Sequence, residues 1–231
     1  MDRTRYTRIG HGDRRFWNPI PDAALTQLLR GLPLQPAPVA VDIGCGRGEA
    51  LAVLAGAHGA TGLGIDPDTA ALASADVPGI RWIGERFSPS MLPDGGVDVL
   101  LALGSVPWEV VANLGPALRP GGRLVVGDGV LRRPAHADYA AFFGDLPPAL
   151  PDWRARAEAA GWHLRQERHT TLAEWDAYEE LHAARIRAWC HANPDDLDTP
   201  AYRARVAMWH GMYRRLGRGV LGFGVFVLEA A

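Results

Sequence analysis

The stretch Val39-Ala40-Val41-Asp42-Ile43-Gly44-Cys45-Gly46-Arg47-Gly48-Glu49 restricts the fold of this chain more than any other. It reads as a short buried strand, a glycine-rich turn, and a helix of small and apolar residues from Ala50 to Ala57. Glycines at alternating positions let the backbone approach a ligand closely, because no Cβ stands in the way. The helix that follows aims its N-terminal amides at the same place. The spacing here is G-x-G-x-G, not the G-x-G-x-x-G of dinucleotide folds, in which the second glycine admits a pyrophosphate. Asp42 stands two residues before the first glycine. A carboxylate there repels a pyrophosphate and suits the cationic amino-acid end of a ligand.

That cationic end points to S-adenosylmethionine as cofactor. Further along, Gly62-Leu63-Gly64-Ile65 reads as a second strand that ends in Asp66, about twenty residues after the glycine turn. An acidic residue at that distance suits hydrogen bonding to ribose hydroxyls. Pro67 then starts the next helix, over 68–75.

Ile80–Ile83 reads as a third strand and 84–96 as a loop or weak helix. Val97–Leu103 is a strongly apolar fourth strand that runs into Gly104-Ser105-Val106-Pro107-Trp108. A helix is expected over 108–118 and a fifth strand over Arg123–Val126, with Asp128 beyond its end. Such apolar strands alternating with helices imply a parallel sheet covered on both faces, with ligands at the carboxyl ends of the strands. The proline-rich stretch 131–151 reads as a long connection, followed by a helix over 152–160 and a sixth strand over 162–170.

Thr171-Leu172-Ala173-Glu174 fits a capping box. The helix it opens carries Trp175, Tyr178, His182, Ile186 and Trp189 at spacings of three and four. Thr199-Pro200 starts a second helix with the stripe Tyr202, Val206, Trp209, Tyr213 and Leu216. A final strand is expected over 220–228.

The 231 residues suffice for one sizeable core, and 48% apolar content makes the chain globular. All 24 basic residues are arginine, which excludes a lysine Schiff base and a P-loop lysine. A net charge of -2 with scattered basic residues argues against a nucleic-acid partner. No apolar run reaches the ~18 residues of a membrane helix, and the arginine-rich N-terminus carries no secretory core, so no membrane partner and a cytoplasmic location are expected. Cys45 and Cys190 lie far apart with no C-x-x-C, so neither a disulfide nor a metal site is expected.

The turn preceded by Val-Asp-Ile, the acidic end of the second strand, and Leu118-Arg119-Pro120-Gly121-Gly122-Arg123-Leu124 together resemble the class I S-adenosylmethionine-dependent methyltransferases. The resemblance covers roughly 36–170 and the final strand. Glu174-Trp175-x-x-Tyr178-Glu179, Ala192-Asn193-Pro194-Asp195-Asp196 and Gly222-Phe223-Gly224-Val225-Phe226 look like a group of bacterial small-molecule or unassigned methyltransferases. In that group a helical pair inserted before the last strand lies over the active site.

The resemblance implies an α/β fold with a Rossmann-like, seven-stranded, mostly parallel sheet. Helices would cover both faces, and the last strand would run antiparallel between the fifth and sixth. It implies one domain: an N-terminal cover over 1–35, a cofactor-binding core over 36–170, a helical lid over 171–218 and a final strand over 219–231. Asp42, Gly44, Cys45 and Gly46 would hold the methionine end, and Asp66 with Pro67 the ribose. At the end of the third strand the family often places Asp. Here the run is Gly84-Glu85-Arg86-Phe87, so either Glu85 accepts from the adenine amino group or Arg86 stacks on the ring. Gly104 and Ser105 would line the far side of the cofactor.

Methyl transfer needs an aligned nucleophile and exclusion of water, and at most one proton acceptor. His11, Asp128 and His182 are the candidate bases, and Trp108, Trp175 and Tyr178 the candidate contacts to the acceptor. Charge disfavours nucleic acid, and the run Gly104–Trp108 lacks the Asn/Asp-Pro-Pro-Tyr pattern of amino-group methylation of adenine or glutamine. A small-molecule acceptor is expected. Two other readings stay open at this level: a catalytically silent S-adenosylmethionine-binding regulatory module, and a nicotinamide-dependent oxidoreductase, against which the glycine spacing and Asp42 argue.

Overall fold

The computed structural model describes residues 1–230. Seven strands form one sheet in the order β3-β2-β1-β4-β5-β7-β6. They are β1 (Val39–Ile43), β2 (Thr61–Ile65), β3 (Ile80–Ile83), β4 (Val97–Leu103), β5 (Leu118–Leu131), β6 (Trp162–His169) and β7 (Leu221–Ala230). The first five strands pair in parallel, and β7 is inserted antiparallel between β5 and β6. Chain order reverses beside β1, between β2 and β4, so the carboxyl ends of β1, β2 and β4 open a crevice.

The sheet is apolar on both faces, as a parallel sheet between helical layers must be. One face carries Val41, Ile43, Leu100, Leu124, Val126, Phe226 and Leu228 under α7 (Leu150–Ala159), whose Trp153 stacks on Phe226. The other carries Ala40, Val99, Leu101, Val125, Val225 and Val227 under α2 (Asp22–Arg30) and α3 (Glu49–His58).

Several local expectations shift. The arginine-rich N-terminal segment, for which the sequence gives no apolar periodicity, forms α1 (Arg3–His11). The Asp2 side chain caps it, accepting from the Arg5 amide, and burial of Tyr6, Gly10 and His11 supplies the packing that its mean polarity conceals. The helix after Pro67 is only one turn, α4 (Thr69–Leu72), capped by Asp68. The helix after β4 stops early, at α5 (Trp108–Val111), because Gly115-Pro116 cannot extend it and forms a separate 3₁₀ turn. β5 is longer than expected at both ends, since Val97 of β4 pairs with Leu118 and β7 pairs with β5 from Arg123 to Leu131. Within the proline-rich connection lies α6 (Ala137–Phe143).

Above the carboxyl edge stand α8 (Leu172–Ala192), opened by the capping box, and α9 (Thr199–Met212), which continues into a π turn over Tyr213–Gly217. α8 packs against both α1 and α9 around Tyr6, Ala183, Ile186, Tyr202 and Val206. Among the described residues no helix is long and apolar enough to cross a membrane.

Candidate functional site

The turn after β1 is the floor of the site. Gly44 takes φ 73°, and a Cβ there would stand 2.2 Å from the Ser105 Cβ, so only glycine lets the turns after β1 and β4 touch. Ser105 Oγ donates to the Ile43 carbonyl and fixes that contact. The Asp66 carboxylate reaches back from the end of β2 and accepts from the Gly46 amide at 2.8 Å and the Asp68 amide at 2.7 Å. The three strand ends are thereby tied into one surface.

Asp42 lies beneath this turn, 3% exposed, and its Oδ1 has no hydrogen-bond partner among the described residues. Burial pushes its carboxyl up to about 8, with the neighbouring Asp66 charge adding to the effect. A desolvated carboxylate without a partner costs free energy, and a cationic ligand group removes that cost. Asp42 therefore fits the ammonium at the amino-acid end of S-adenosylmethionine. It lines a small recess with Trp17, Gly44, Cys45 and Gly46. Cys45 is a free, buried thiol whose pKa burial raises further, so it fills space and does not act as a nucleophile.

A wider cleft of about 330 Å³ opens above, lined by Thr7, His11, Trp17, Gly44, Asp66, Pro67, Gly104 and Ser105. Gly44, Asp66, Pro67, Gly104 and Ser105, the cofactor contacts expected from the sequence, line this one cleft. Glu85 and Arg86 are exposed past the end of β3 and line neither this cleft nor the recess.

A second chamber, also about 330 Å³, lies under α8 and α9. Tyr6, His11, Phe143, Trp175, Tyr178, His182 and Trp209 supply aromatic walls, and Glu179 and Arg205 supply charge. Thr7 and His11 line both cavities, so this edge of α1 stands between them. The His11 ring is parallel to Trp17, and its Nδ1 is buried without a partner among the described residues. Burial lowers His11 to about 3, helped by His182, Arg14 and Arg185. Burial likewise lowers His182 to about 4, helped by Arg185 and Arg205. Both imidazoles are neutral across the physiological range.

Four expected acceptor-side residues thus meet in this chamber: His11, Trp175, Tyr178 and His182. Asp128 and Trp108 do not. Asp128 occupies an even position of β5, with Leu124 and Val126, and points to the face under α7. There its carboxylate accepts from Trp153 Nε1 at 2.9 Å and from the Gly129 amide at 2.7 Å. Trp108 meets Trp153 edge-on, with centroids 5.2 Å apart, on the same side. The alternation of side chains along β5 carries Asp128 away from the chamber, and Trp108, at the start of α5, packs on the same face.

Sequence reasoning missed Glu179, Arg205, Thr7 and Phe143. A signal existed for two of them. Glu179 lies four residues after Trp175 and three before His182, and Arg205 lies four before Trp209, so each charge interrupts an aromatic stripe. It also missed the fastening of α1. Arg8 pairs with buried Asp68 at 2.6 Å, Arg5 with Asp196 at 2.8 Å, and Arg185 on α8 donates to the His11 carbonyl.

Comparison with known proteins bears on this geometry. A family model described as a methyltransferase domain matches residues 41–126. Over its whole length the chain is 28% identical to the uncharacterized protein YjhP of Escherichia coli, covering all of that protein. It is 39% identical to the ribosomal protein L11 methyltransferase of Alkalilimnicola ehrlichii, but that match takes in only 54% of this chain and 46% of the relative. The crystal structure of a SAM-dependent methyltransferase from Geobacter sulfurreducens in complex with S-adenosyl-L-homocysteine superposes with a TM-score of 0.86 at 28% identity, over 98% of each chain.

Proposed function

We propose that this chain is a class I S-adenosylmethionine-dependent methyltransferase and that it methylates a small organic molecule seated in the chamber beneath α8 and α9. The observation that carries the reading is the chamber itself. It is aromatic, of the size of small-molecule sites, and shares Thr7 and His11 with the cofactor cleft.

When bound, the cofactor supplies a methyl group on a sulfonium sulfur, already activated for in-line displacement. The residues of the chain bind and orient. Asp42 holds the ammonium of the amino-acid end from below the turn, and Asp66 offers its remaining lone pairs to the ribose hydroxyls. Gly104 and Ser105 close the far wall. His11, neutral and stacked on Trp17, aligns the two ligands across the partition. Residues 1–35 act as a cover and 171–218 as a lid, and together they keep water from the reacting centre.

Partial similarity to a ribosomal protein methyltransferase does not carry a protein acceptor, because the match takes in only 54% of this chain and 46% of that relative. The test is to incubate the enzyme with methyl-labelled cofactor and either a small-molecule extract or ribosomal and total protein. Label in compounds below about 1 kDa is the expected result. Label confined to protein overturns the proposal.

A further inference from the structure

Two charged side chains in the chamber have no hydrogen-bond or ion-pair partner among the described residues. Glu179 projects from α8 into the aromatic wall, and among the described residues its carboxylate makes no hydrogen bond or ion pair. The contrast with its neighbour is direct, since Glu180 pairs with His210 and Arg214. Arg205 projects from α9. Its guanidinium lies 5.4 Å from the Tyr6 ring centre and 5.7 Å from that of Trp209, and among the described residues it meets no carboxylate. Both side chains are half-buried, so a carboxylate and a guanidinium held against rings are each stabilised by a counter-charge or hydrogen-bond partner from a ligand. Neither serves the packing of α8 or α9, whose shared core is Ile186, Ala183, Tyr202 and Val206.

The spaces around the two charges differ. The rings beside Arg205 already face a cation, so that end of the chamber welcomes an anion. Around Glu179 the polar groups are the hydroxyls of Tyr6, Tyr139, Tyr178 and Tyr213, neutral His182, and the Trp175 Nε1, which has no partner among the described residues. None of these brings a formal positive charge to the carboxylate. Burial raises Glu179 to about 7, with Glu180 adding to the effect, so near neutral pH it readily takes or gives a proton in a hydrogen bond.

We infer that Glu179 and Arg205 form a two-ended recognition site for the acceptor: a flat aromatic acid, with its carboxylate on Arg205 and a ring hydroxyl or amino group on Glu179. The rings of Trp175, Tyr178, Phe143 and Trp209 hold the flat body between the ends. The inference rests on the small-molecule reading and narrows it to a substrate class.

The test is calorimetric titration of the full-length protein saturated with S-adenosylhomocysteine. The probes are 4-hydroxybenzoate, 4-aminobenzoate and 3-(4-hydroxyphenyl)propanoate, against benzoate and phenol, which each lack one end. At least one two-ended compound is expected to bind ten times or more tighter than both one-ended ones. Glu179→Gln should remove its advantage over benzoate, and Arg205→Gln its advantage over phenol. Each variant should keep the S-adenosylhomocysteine affinity of the wild type, which separates recognition from misfolding. Equal binding of all five compounds overturns the two-ended site and leaves the small-molecule reading standing. Binding of none of them also overturns it, and the labelled-cofactor experiment then judges the broader reading alone.

Discussion

The imidazole of His11 lies over the indole of Trp17 with centroids 5.4 Å apart and planes 4° from parallel. Trp17 lies over the glycine turn, 3.5 Å from where a Cβ on Gly46 would stand. The stack therefore runs from the glycine turn to the aromatic chamber, and His11 and Trp17 both line the cleft above that turn. A lowered pKa of about 3 makes His11 a weak proton acceptor. The expected outcome follows from shape. His11→Phe keeps the stack and should retain most of kcat, whereas His11→Ala opens the partition and should lower kcat about tenfold or more. Steady-state kinetics of the two variants decide it, and equal loss in both would restore a proton-transfer role.

Asp42 should make cofactor binding pH-dependent. Its carboxyl is raised to about 8 in the free protein, and an ammonium partner requires the ionised form. Binding below pH 8 must release a proton, so affinity for S-adenosylhomocysteine should rise between pH 6 and 8. Calorimetry in buffers of different ionisation enthalpy counts that proton. Asp42→Asn should abolish the release and weaken binding by about 1.5–3 kcal/mol, the worth of a charged hydrogen bond.

The same two raised carboxyls shape stability. Asp42 at about 8 and Glu179 at about 7 both fold more readily as neutral acids. Their contribution is complete below the ordinary carboxylate range and is lost as pH rises through 7 and 8. The ligand-free protein should therefore lose thermal stability across that window. Added cofactor product should narrow the loss by pairing Asp42. A midpoint that is flat from pH 5 to 8.5 would contradict the burial of both groups.

Gly10 bears on the lid. It sits inside α1, where alanine ordinarily improves a helix by up to about 1 kcal/mol. Here a Cβ would stand 2.0 Å from His182 Nε2, so the imidazole must leave its place between Tyr6, His11 and Tyr178. Gly10→Ala should cost about 1–3 kcal/mol by overpacking, and raise the KM for acceptor more than for cofactor. Denaturant unfolding and kinetics measure the two effects.

Asp128 should behave as a structural carboxylate. Its partners are Trp153 and Gly129, on the face away from the chamber. Asp128→Ala leaves the buried indole N–H without an acceptor and should cost about 1–3 kcal/mol of stability. The acceptor KM should stay within twofold. A large fall in kcat at unchanged stability would return Asp128 to the reaction.

The cofactor half of this protein was legible in its sequence, because it is local. A strand, a glycine turn and a helix N-terminus lie within Val39–Ala57, and Asp66 needs only the pairing of β1 with β2 to meet Gly46. Strand apolarity fixed the parallel sheet, and the capping box at Thr171 fixed where α8 begins. The acceptor side depends on contacts between segments far apart in the chain. α1 had no apolar pattern to betray it, and only its ion pairs and its packing on α8 make it a wall. Asp128 and Trp108 sit near strand ends on the ligand edge, but strand alternation sends Asp128 to the α7 face, where Trp108 also packs. Glu179 and Arg205 looked like solvated helix charges until α8, α9 and α1 closed around them. Short-range backbone chemistry thus wrote the cofactor site into the sequence. The chamber exists only where three distant helices meet, and burial there, not residue type, gives its charges their meaning.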